Sequence, residues 1–535
     1  MSAPAWDQND AARGDLPGEL PGGGVSWVDQ VARHAHRIPD RVALRFESRS
    51  TTWTELDHRV RTLAAGLRDR GVAAGDRVAV LMTNRPEFIE TVLAVNTLGG
   101  IAVPVNFRLS AAEIRYIIVD SGARLLVADS GLAPLAGAVR AESAQPPGCL
   151  VVGDSTGAAG PGAESYQDLL AGPVAEAPAA AISERDIALI MYTSGTTGRP
   201  KGAMLSHLNL MVQCLTVIQA FGQSTAEISL CASPMFHIAG IGLFAPVLLG
   251  GGTVVIMPSG QFDAGTTLDV LEREQVTTLF LVPAQWQVLC ADPNVAGRAS
   301  SLRTISWGAA PATVSLLETM ARTFPEATNI ALFGQTEMSP VTCALDGGDA
   351  LRKIGSVGKP VPFVAARVVD DEMNDVPPGA VGEIVYRGPG TMAGYWNNPA
   401  ATADAFAGGW FHSGDLVRVD DEGFVYVVDR KKDMIISGGE NIYCAEVENV
   451  LAGHPGVADV AVIGGKDQRW GETPIAIIVP ARPDEPPTLD DLTAWSRDRL
   501  ASYKKPTAIV LIDALPRNAS GKVLKHQLRA TYGDR

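Results

Sequence analysis

The stretch Tyr192-Thr193-Ser194-Gly195-Thr196-Thr197-Gly198-Arg199-Pro200-Lys201-Gly202 indicates the fold most clearly. An apolar run at 187–191 precedes it and is typical of a buried strand, and Ser206 and the residues after it are typical of a helix start. The pattern predicts a loop between a strand and a helix. Glycines let backbone approach an anion, and hydroxyl, amide and lysine donors suit a polyphosphate. The loop is not the Walker pattern, because Gly202 rather than Ser or Thr follows Lys201.

Length and composition indicate a globular enzyme of several domains. The 535 residues are too many for one hydrophobic core. Hydrophobic residues make up 46% and charged residues 19%, as in soluble enzymes. The net charge of −15 argues against a general nucleic-acid binder, which needs clustered Lys and Arg. Six scattered cysteines without a CxxC pair predict neither a zinc knuckle nor a redox pair, and favour a reducing, cytoplasmic location.

Strands and helices alternate along the first quarter of the chain. Strands are predicted at 41–46, 76–82, 101–105 and 124–128, and helices at 53–70, 86–98 and 112–119. This alternation predicts parallel βαβ units, and a weak echo of the unit at 77–105 recurs at 228–257. The echo suggests a pair of similar layers within one large domain. The uncharged segment 238–258 contains Pro246 and Gly250 to Gly252, so a buried helix, a turn and a strand are expected rather than a membrane span.

Domain limits follow from composition. Residues 1–24 are rich in Gly, Pro and Asp and are expected to form a flexible tail, not a signal peptide. The Ala/Gly/Pro-rich segment 131–181 is expected to include a surface excursion. Short strands and turns at 366–387 predict a small β subdomain, and a compact α/β unit is predicted after the charged run at 429–433. We expect an α/β fold: a large N-terminal domain, 25–430, of layered βαβ sheets plus that subdomain, hinged to a small α+β C-terminal domain, 431–535.

Five further blocks of sequence carry polar residues in loops, and the first two of them directly follow predicted strands. They are Gly308-Ala309-Ala310-Pro311, Phe333-Gly334-Gln335-Thr336-Glu337, Trp410-Phe411-His412-Ser413-Gly414-Asp415-Leu416, Ser437-Gly438-Gly439-Glu440-Asn441 and Pro516-Arg517-Asn518-Ala519-Ser520-Gly521-Lys522. An aromatic face such as that of Phe333 can stack on a base. A carboxylate such as Glu337 suits Mg²⁺, which normally lies between phosphates and one or two carboxylates.

Together with the loop at 192–202, these blocks resemble the adenylate-forming superfamily. It comprises acyl- and aryl-CoA synthetases, peptide-synthetase adenylation domains and luciferases. The resemblance covers about 25–535 and is greatest, over 187–311 and 333–525, to actinobacterial, including mycobacterial, fatty-acid–CoA ligases. It implies ATP, Mg²⁺ and coenzyme A as cofactors or co-substrates.

The resemblance implies roles for individual residues. Catalysis would involve Thr193, Thr336, Glu337 as the Mg²⁺ ligand, and Lys522, whose cation would stabilise charge on the phosphoryl oxygens. The expected nucleotide-binding residues are Thr193, Ser194, Gly195, Thr196, Thr197, Gly198, Lys201, Gly308, Ala309, Ala310, Phe333, Gly334, Gln335, Thr336, Asp415 and Arg430. Asp415 would accept from the ribose hydroxyls. The family commonly has Tyr where Phe333 stands, so a phenolic hydrogen bond is not expected here.

The same resemblance implies a hinge at Lys432 and a pantetheine path along the glycine-rich loop. The expected path residues are Ser437, Gly438, Gly439 and Glu440. Some relatives have lysines where Ile436 and Gly438 stand, so those contacts to coenzyme A are not expected. A surface salt bridge is the alternative role for Arg430 and for Lys432.

The acyl pocket is expected to have apolar walls. Its predicted residues are Phe236, His237, Gly240, Ile241, Trp286, Trp307 and Met338. Each buried methylene contributes roughly 0.8 kcal/mol, which favours medium- to long-chain fatty acids. His237 stands where amino-acid-activating relatives usually have Asp, which argues against a peptide-synthetase module. A gate, a place beside the incoming thiol, and aromatic packing are all open for His237.

The predicted function is an AMP-forming fatty-acid–CoA ligase that acts in two steps, through acyl-AMP. An aryl-CoA ligase is the alternative within the class, and a non-catalytic nucleotide- or lipid-binding regulator is the alternative from another class. No nucleic-acid partner is expected. Chain length of the acid, peripheral membrane contact and a homodimer are left open by the sequence.

Overall fold

The computed structural model describes residues 26–172, 182–193, 199–310, 312–438, 440–517 and 523–534. Its strands are β1 Val42–Phe46, β2 Arg49–Thr52, β3 Arg77–Leu81, β4 Ile101–Pro104, β5 Leu125–Asp129, β6 Gly148–Val152, β7 Ala163–Ser165, β8 Ile187–Thr193, β9 Lys201–Ser206, β10 Ile228–Cys231, β11 Thr253–Ile256, β12 Thr278–Leu281, β13 Thr304–Gly308, β14 Thr328–Gly334, β15 Val341–Leu345, β16 Lys359–Pro360, β17 Ala365–Val369, β18 Val381–Arg387, β19 Gly394–Tyr395, β20 Phe411–Val419, β21 Val425–Arg430, β22 Ile435–Ser437, β23 Glu440–Ile442, β24 Val457–Asp467, β25 Gly471–Pro480 and β26 Ala508–Leu511. Its helices are α1 Asp29–Arg37, α2 Trp53–Asp69, α3 Pro86–Thr97, α4 Ala111–Ser121, α5 Ala133–Ala141, α6 Tyr166–Leu170, α7 His207–Phe221, α8 Ile238–Gly250, α9 Ala264–Arg273, α10 Pro283–Ala291, α11 Val314–Thr323, α12 Gly347–Ala350, α13 Pro399–Ala405, α14 Cys444–Ala452, α15 Leu489–Trp495 and α16 Lys525–Tyr532.

Two large sheets form the N-terminal part of the molecule. One has nine strands in the order β16-β15-β14-β13-β12-β10-β11-β1-β2, and the other has eight in the order β19-β9-β8-β4-β3-β5-β6-β7. Neighbouring strands β3, β4 and β5 are parallel, as are β10, β11 and β12, so the predicted βαβ units are confirmed. Parallel strands require helical crossovers, which cover the sheet faces here.

The predicted echo occupies both sheets. The unit β3-α3-β4 lies in the eight-stranded sheet, and the unit β10-α8-β11 lies in the nine-stranded sheet. Helix α3 contacts β3 and β4 of one sheet and β1 of the other, and one hydrophobic cluster includes residues from both units. The rings of Phe88 and Phe244 meet edge to face, with centroids 6.4 Å apart. The two layers are therefore joined through a shared core.

Local sequence explains where several of these helices begin and end. Ser110 caps α4, and its partner Glu113 completes a capping box. Gly122 ends the same helix in the left-handed conformation that glycine adopts without strain. Ser206 caps α7 in the same way, so the predicted helix start is confirmed.

Two smaller sheets follow. The strands β17-β18-β20-β21 form the predicted β subdomain, which shares the main hydrophobic cluster. The C-terminal sheet contains β23-β22-β25-β24, with β26 beside β25, and has hydrophobic clusters of its own. The α/β class and the large-plus-small arrangement are thus confirmed, whereas the exact boundary at Lys431/Lys432 stays a prediction.

One expectation about local structure is wrong, and one segment contains more regular structure than expected. The loop at 192–202 joins two strands, because β9 pairs antiparallel with β8 before α7 begins. This strand has only six residues, Lys201–Ser206, and it lies between the glycine-rich loop and the helix cap. So short a segment gave little sequence signal of its own. In 131–181, the described part contains β6, whose last four residues are buried between β5 and β7. This part extends the sheet, and the expected surface excursion in 131–181 stays a prediction.

None of the described helices is both long enough and apolar enough to cross a lipid bilayer.

Candidate active site

Thr193 and Glu337 meet at the end of the β8–β9 hairpin. Thr193 is the last residue of β8 and pairs with Lys201, the first residue of β9. The Thr193 hydroxyl lies 3.5 Å from Glu337 Oε1 and 3.5 Å from the Lys201 carbonyl oxygen. Glu337 is buried in a short 3-10 helix, Thr336–Met338, directly after β14. The structure therefore joins the predicted phosphate loop to the predicted metal ligand.

Tyr395 completes this cluster and was not predicted from the sequence. Its hydroxyl donates to Glu337 Oε1 at 3.0 Å, and Lys201 Nζ lies 5.2 Å from the centre of its ring. Burial and the neighbouring Glu337 carboxylate raise the pKa of Tyr395, which keeps the hydroxyl protonated as a donor. The only signal for it in the sequence is an aromatic pair, Tyr395-Trp396, in a segment of small and turn-forming residues.

The cluster suits Mg²⁺ that is held partly by a substrate. Among the described residues, no group of three or more His, Cys, Asp or Glu side chains is placed to hold a metal. A single buried carboxylate, oriented by a tyrosine hydroxyl, matches the usual Mg²⁺ site in which phosphates and water supply the other ligands. Glu337 is therefore the residue that would hold the ion.

Close backbone contacts shape the segments predicted to border adenine. A Cβ at Gly308 would lie 2.4 Å from the Leu332 carbonyl oxygen, and one at Gly334 would lie 1.9 Å from the Pro340 carbonyl oxygen. Neither position tolerates a side chain without backbone movement. Ala309 has φ of +64° and is exposed, as is Ala310, while Phe333 is half-buried on the neighbouring strand. The strand ends thus form an open edge beside an aromatic face.

Gln335 and Thr336 connect this edge to Glu337. The Gln335 backbone N–H donates to the Pro340 carbonyl oxygen at 2.9 Å, which closes the turn around Gly334. Both side chains are half-buried. Thr336 opens the 3-10 helix that carries Glu337, so its hydroxyl lies one residue from the candidate metal ligand.

Asp415 and Arg430 form an ion pair at the other predicted nucleotide contact. The two residues are direct partners in the β20–β21 ladder, and Arg430 Nε lies 2.6 Å from Asp415 Oδ1. The Asp415 side chain is only 4% exposed, whereas that of Arg430 is 34% exposed. The arginine therefore holds a buried carboxylate in one orientation, as a fixed acceptor for ribose hydroxyls requires.

Several predicted site residues lie outside the described residues. These are Ser194, Gly195, Thr196, Thr197, Gly198, Pro311, Gly439 and Lys522, together with the tail at 1–24.

Comparison with protein families decides the class. A family model described as AMP-binding enzyme matches residues 31–396. The chain belongs to the AMP-binding enzyme family. A second model, the AMP-binding enzyme C-terminal domain, matches residues 446–522.

Individual AMP-binding enzymes resemble the chain over nearly its whole length. A feruloyl-CoA synthase of Amycolatopsis sp is 42% identical over 95% of this chain and 99% of its own. The long-chain-fatty-acid–CoA ligase FadD13 of Mycobacterium tuberculosis is 36% identical over 90% and 93%. The structure of Bacillus subtilis o-succinylbenzoate CoA synthetase (MenE) with its acyl-adenylate intermediate has a TM-score of 0.83 and 32% identity, over 95% and 99%. The same enzyme with ATP and a magnesium ion has a TM-score of 0.82, 32% identity and coverage of 94% and 99%.

These findings confirm an adenylate-forming, acid–thiol ligase that works with ATP, Mg²⁺ and coenzyme A. They do not single out fatty-acid ligases, because enzymes named for aromatic acids are at least as similar.

The apolar residues predicted for the acyl pocket of this AMP-binding enzyme belong to two different hydrophobic clusters. Phe236, Ile241 and Met338 belong to the main hydrophobic cluster, but Trp286 and Trp307 belong to the cluster under α9, α10 and α11. The Trp286 indole donates to the Ser306 carbonyl oxygen at 2.9 Å, and the Trp307 indole donates to Asn329 Oδ1 at 3.1 Å. Both tryptophans thus have packing partners in this second cluster, and their assignment to the pocket stays a prediction.

Apart from Met338, the other pocket candidates lie at or just before the start of α8. Phe236 meets Phe107 edge to face at 5.3 Å, and a Cβ at Gly240 would lie 2.4 Å from the Pro234 carbonyl oxygen. His237 caps the helix: its Nδ1 accepts from the Ala239 N–H at 3.2 Å, and burial lowers its pKa. A neutral imidazole therefore stands at this end of α8.

The predicted hinge residue and the predicted pantetheine loop lie where the C-terminal unit of the AMP-binding enzyme begins. Lys432 lies in the turn after β21, and desolvation lowers its pKa. Ser437 and Glu440 are the facing ends of the β22–β23 hairpin. Gly438 has φ of +59°, and a Cβ there would lie 2.6 Å from Trp470 Cε3. There is thus no room for a side chain at Gly438, one of the residues predicted to line the pantetheine path.

Proposed function

We propose that this enzyme forms coenzyme A thioesters of aromatic carboxylic acids through an acyl-adenylate. The observation that carries the choice of acid is the 42% identity to a feruloyl-CoA synthase across 95% of the chain. The fold's similarity to o-succinylbenzoate CoA synthetase, another enzyme named for an aromatic acid, supports it. The edge-to-face pair of Phe107 and Phe236 would offer such a ring a further aromatic edge.

In the first step, an oxygen of the carboxylate bonds to the α-phosphorus of ATP. The bond from that phosphorus to the bridging oxygen breaks, and pyrophosphate leaves. Thr193 and Lys201 would direct donors at the phosphates, and Glu337 would hold the Mg²⁺. When bound there, the ion would neutralise charge on the phosphates. Lys522, outside the described residues, remains the predicted cation for the transition state.

In the second step, the sulfur of coenzyme A bonds to the acyl carbon, and the bond from that carbon to the AMP oxygen breaks. We propose that the domain 431–535 turns about Lys432 between the steps, so that the Gly438 loop replaces the Lys522 segment. Asp415 and Arg430 belong to the strands before the hinge, so they would hold the AMP moiety throughout. Separating two chemistries by domain movement is a gating mechanism.

The sequence analysis favours a fatty acid, which stands as the second candidate. A long-chain-fatty-acid–CoA ligase is 36% identical over 90% of the chain, and the aliphatic residues Ile241 and Met338 lie in the same cluster as Phe236. A regulator without catalysis is disfavoured, because Thr193, Glu337, Asp415 and Arg430 form ordered pairs.

Steady-state kinetics with ferulate, benzoate, octanoate and palmitate test the proposal. We expect kcat/KM for ferulate or benzoate to exceed that for either fatty acid by at least about tenfold, a difference of 1.4 kcal/mol in transition-state binding. A preference for octanoate or palmitate would establish the fatty-acid ligase instead. Absence of pyrophosphate release with every acid would contradict a ligase.

A further inference from the structure

Helix α4 contacts the β8–β9 hairpin through Tyr116 and Asp120. We call the two chain segments on either side of the phosphate loop, β8 and β9 with Pro200, the stems of the hairpin. Tyr116 and Asp120 are four positions apart and therefore share one face of the helix. The Tyr192 hydroxyl donates to Asp120 Oδ2 at 2.6 Å, and the Tyr116 hydroxyl donates to the Pro200 carbonyl oxygen at 3.3 Å. One stem precedes the phosphate loop and the other follows it. The helix thus spans the base of the loop.

Asp120 also reaches the segment that carries Tyr395. Its backbone carbonyl oxygen accepts from Trp396 Nε1 and from Asn397 Nδ2, each at 3.0 Å. The Trp396 backbone N–H donates to the Gly202 carbonyl oxygen at 2.7 Å, on the second stem. Since the Tyr395 hydroxyl donates to Glu337, Asp120 connects the hairpin to the residue that orients the candidate metal ligand.

Strand geometry transmits the position of Tyr192 to Thr193. Successive side chains of a strand point to opposite faces, so Tyr192 packs toward α4 while Thr193 points toward Glu337. Tyr192 lies opposite Gly202, where a Cβ would be 3.2 Å from the tyrosine Cζ. The ring is therefore held between the helix and the second stem, and a shift of Tyr192 would turn Thr193.

The Tyr192–Asp120 hydrogen bond is well placed to persist. Burial raises the pKa of Tyr192, and the hydrogen bond and charge of Asp120 raise it further, so the phenol stays a donor. Hydrogen bonds to a charged partner are the stronger class.

We propose that Asp120 is a positioning residue for nucleotide binding, which acts through Tyr192 on the phosphate hairpin. The inference rests on the proposed function of the hairpin as the triphosphate site. Asp120 touches no substrate in this account. Its carboxylate sets the angle of the first stem, and its backbone oxygen holds the Trp396 segment beside the second.

The test uses the full chain with Tyr192→Phe, Asp120→Ala, the conservative Asp120→Asn and the double variant Asp120→Ala/Tyr192→Phe. Three constants are measured. They are the Kd of MgATP without any acid, and the KM of MgATP and the KM of the acid in pyrophosphate exchange. We expect each single loss to weaken MgATP about tenfold, as for one hydrogen bond to a charged group, and to leave the KM of the acid within twofold. Asp120→Asn should restore most of the affinity.

The double variant distinguishes one shared bond from two separate effects. If the two side chains act through the same hydrogen bond, the double variant will bind MgATP no more weakly than the weaker of the two single variants. The proposal would be overturned if the affinity loss of the double variant equals the product of the two single losses. It would also be overturned if folded Tyr192→Phe has an unchanged Kd for MgATP. Should Asp120→Ala not fold, Tyr192→Phe and Asp120→Asn still decide it.

A matched control is Asp168→Ala, which removes an exposed carboxylate on α6. Its MgATP affinity should equal that of the wild type, and a tenfold loss there would contradict a specific role for Asp120. If the wild-type protein binds MgATP but shows no pyrophosphate exchange with any acid, the proposed function is refuted. The positioning role of Asp120 would still be tested by the Kd values for MgATP.

Discussion

The Thr193 hydroxyl lies 3.5 Å from Glu337 Oε1, although 144 residues separate them along the chain. One residue ends a strand of the eight-stranded sheet, and the other follows a strand of the nine-stranded sheet. The contact therefore joins the two layers at the carboxyl ends of their strands, where ligands bind in open α/β sheets. Tyr395 holds the shared carboxylate from a third segment.

Glu337→Gln should stop adenylation and spare thioester formation. An amide is a poorer Mg²⁺ ligand than a carboxylate, so acid-dependent pyrophosphate exchange should fall about 100-fold or more. Thioester formation from chemically prepared acyl-AMP needs no triphosphate and should stay within a few-fold of wild type. Tyr395→Phe, which keeps the carboxylate, should give a smaller loss that added Mg²⁺ partly restores. Equal losses in both half-reactions would contradict the assigned role.

Asp415→Asn should remove discrimination for the ribose hydroxyls. Arg430 holds the buried Asp415 carboxylate at 2.6 Å, and we propose that this carboxylate accepts from the sugar hydroxyls. We expect wild-type enzyme to prefer ATP over 2′,3′-dideoxy-ATP about tenfold in kcat/KM, and the variant to show little preference. The two nucleotides serve as controls for each other, because only the sugar differs. If the variant keeps the full preference, Asp415 does not contact the ribose.

Gly438→Ala should slow the second half-reaction selectively. The residue has φ of +59°, which costs about 1 kcal/mol for a side chain, and the new Cβ would meet Trp470 at 2.6 Å. The loop must therefore shift, and thioester formation from acyl-AMP should fall about tenfold or more while pyrophosphate exchange is retained. Gly423→Ala, also left-handed at φ of +85° but with open space around it, is the matched control. Normal thioester formation in Gly438→Ala would exclude the proposed pantetheine path.

Glu87 should make the stability of the protein depend on acid pH. Burial disfavours its charge, but hydrogen bonds from Arg49 and Arg85 outweigh burial and lower its pKa from 4.5 to about 2. Because the folded pKa is depressed, the stabilisation is present above pH 4.5 and is lost as pH falls toward 2. The shift corresponds to about 3 kcal/mol of unfolding free energy.

Urea unfolding of wild type and Glu87→Gln between pH 7 and pH 2 measures this contribution. The difference in unfolding free energy between them should shrink by about that amount as the pH falls. Glu326→Gln, which changes an exposed carboxylate, is the control for the substitution itself. A difference that does not vary with pH would contradict the assignment.

Elements with a regular pattern were predictable from the sequence, and contacts between distant segments were not. Parallel strands read as continuous apolar runs, so β3, β4, β10 and β11 could be placed within a residue or two. The Trp307 side chain packs in the hydrophobic cluster under α9, α10 and α11. Which face of the sheet it points to cannot be told from its own strand. That information comes from the packing of layers and not from the neighbouring residues.

The candidate site shows the same limit. Motifs identified Thr193, Glu337, Asp415 and Arg430, and the structure brings them together in pairs. Tyr395 is 58 residues from Glu337, so no local spacing could reveal their hydrogen bond. Asp120 belongs to no motif, and only the fold places its carboxylate 2.6 Å from the Tyr192 hydroxyl.

The central claim is that the acid is activated as an acyl-adenylate. A carboxylic acid labelled with ¹⁸O in both carboxyl oxygens, turned over with ATP and coenzyme A, tests it by mass spectrometry of the products. We predict one ¹⁸O in AMP and none in pyrophosphate, because the carboxylate oxygen that bonds to the α-phosphorus leaves with AMP. Unlabelled AMP, or ¹⁸O in pyrophosphate or inorganic phosphate, would contradict the account.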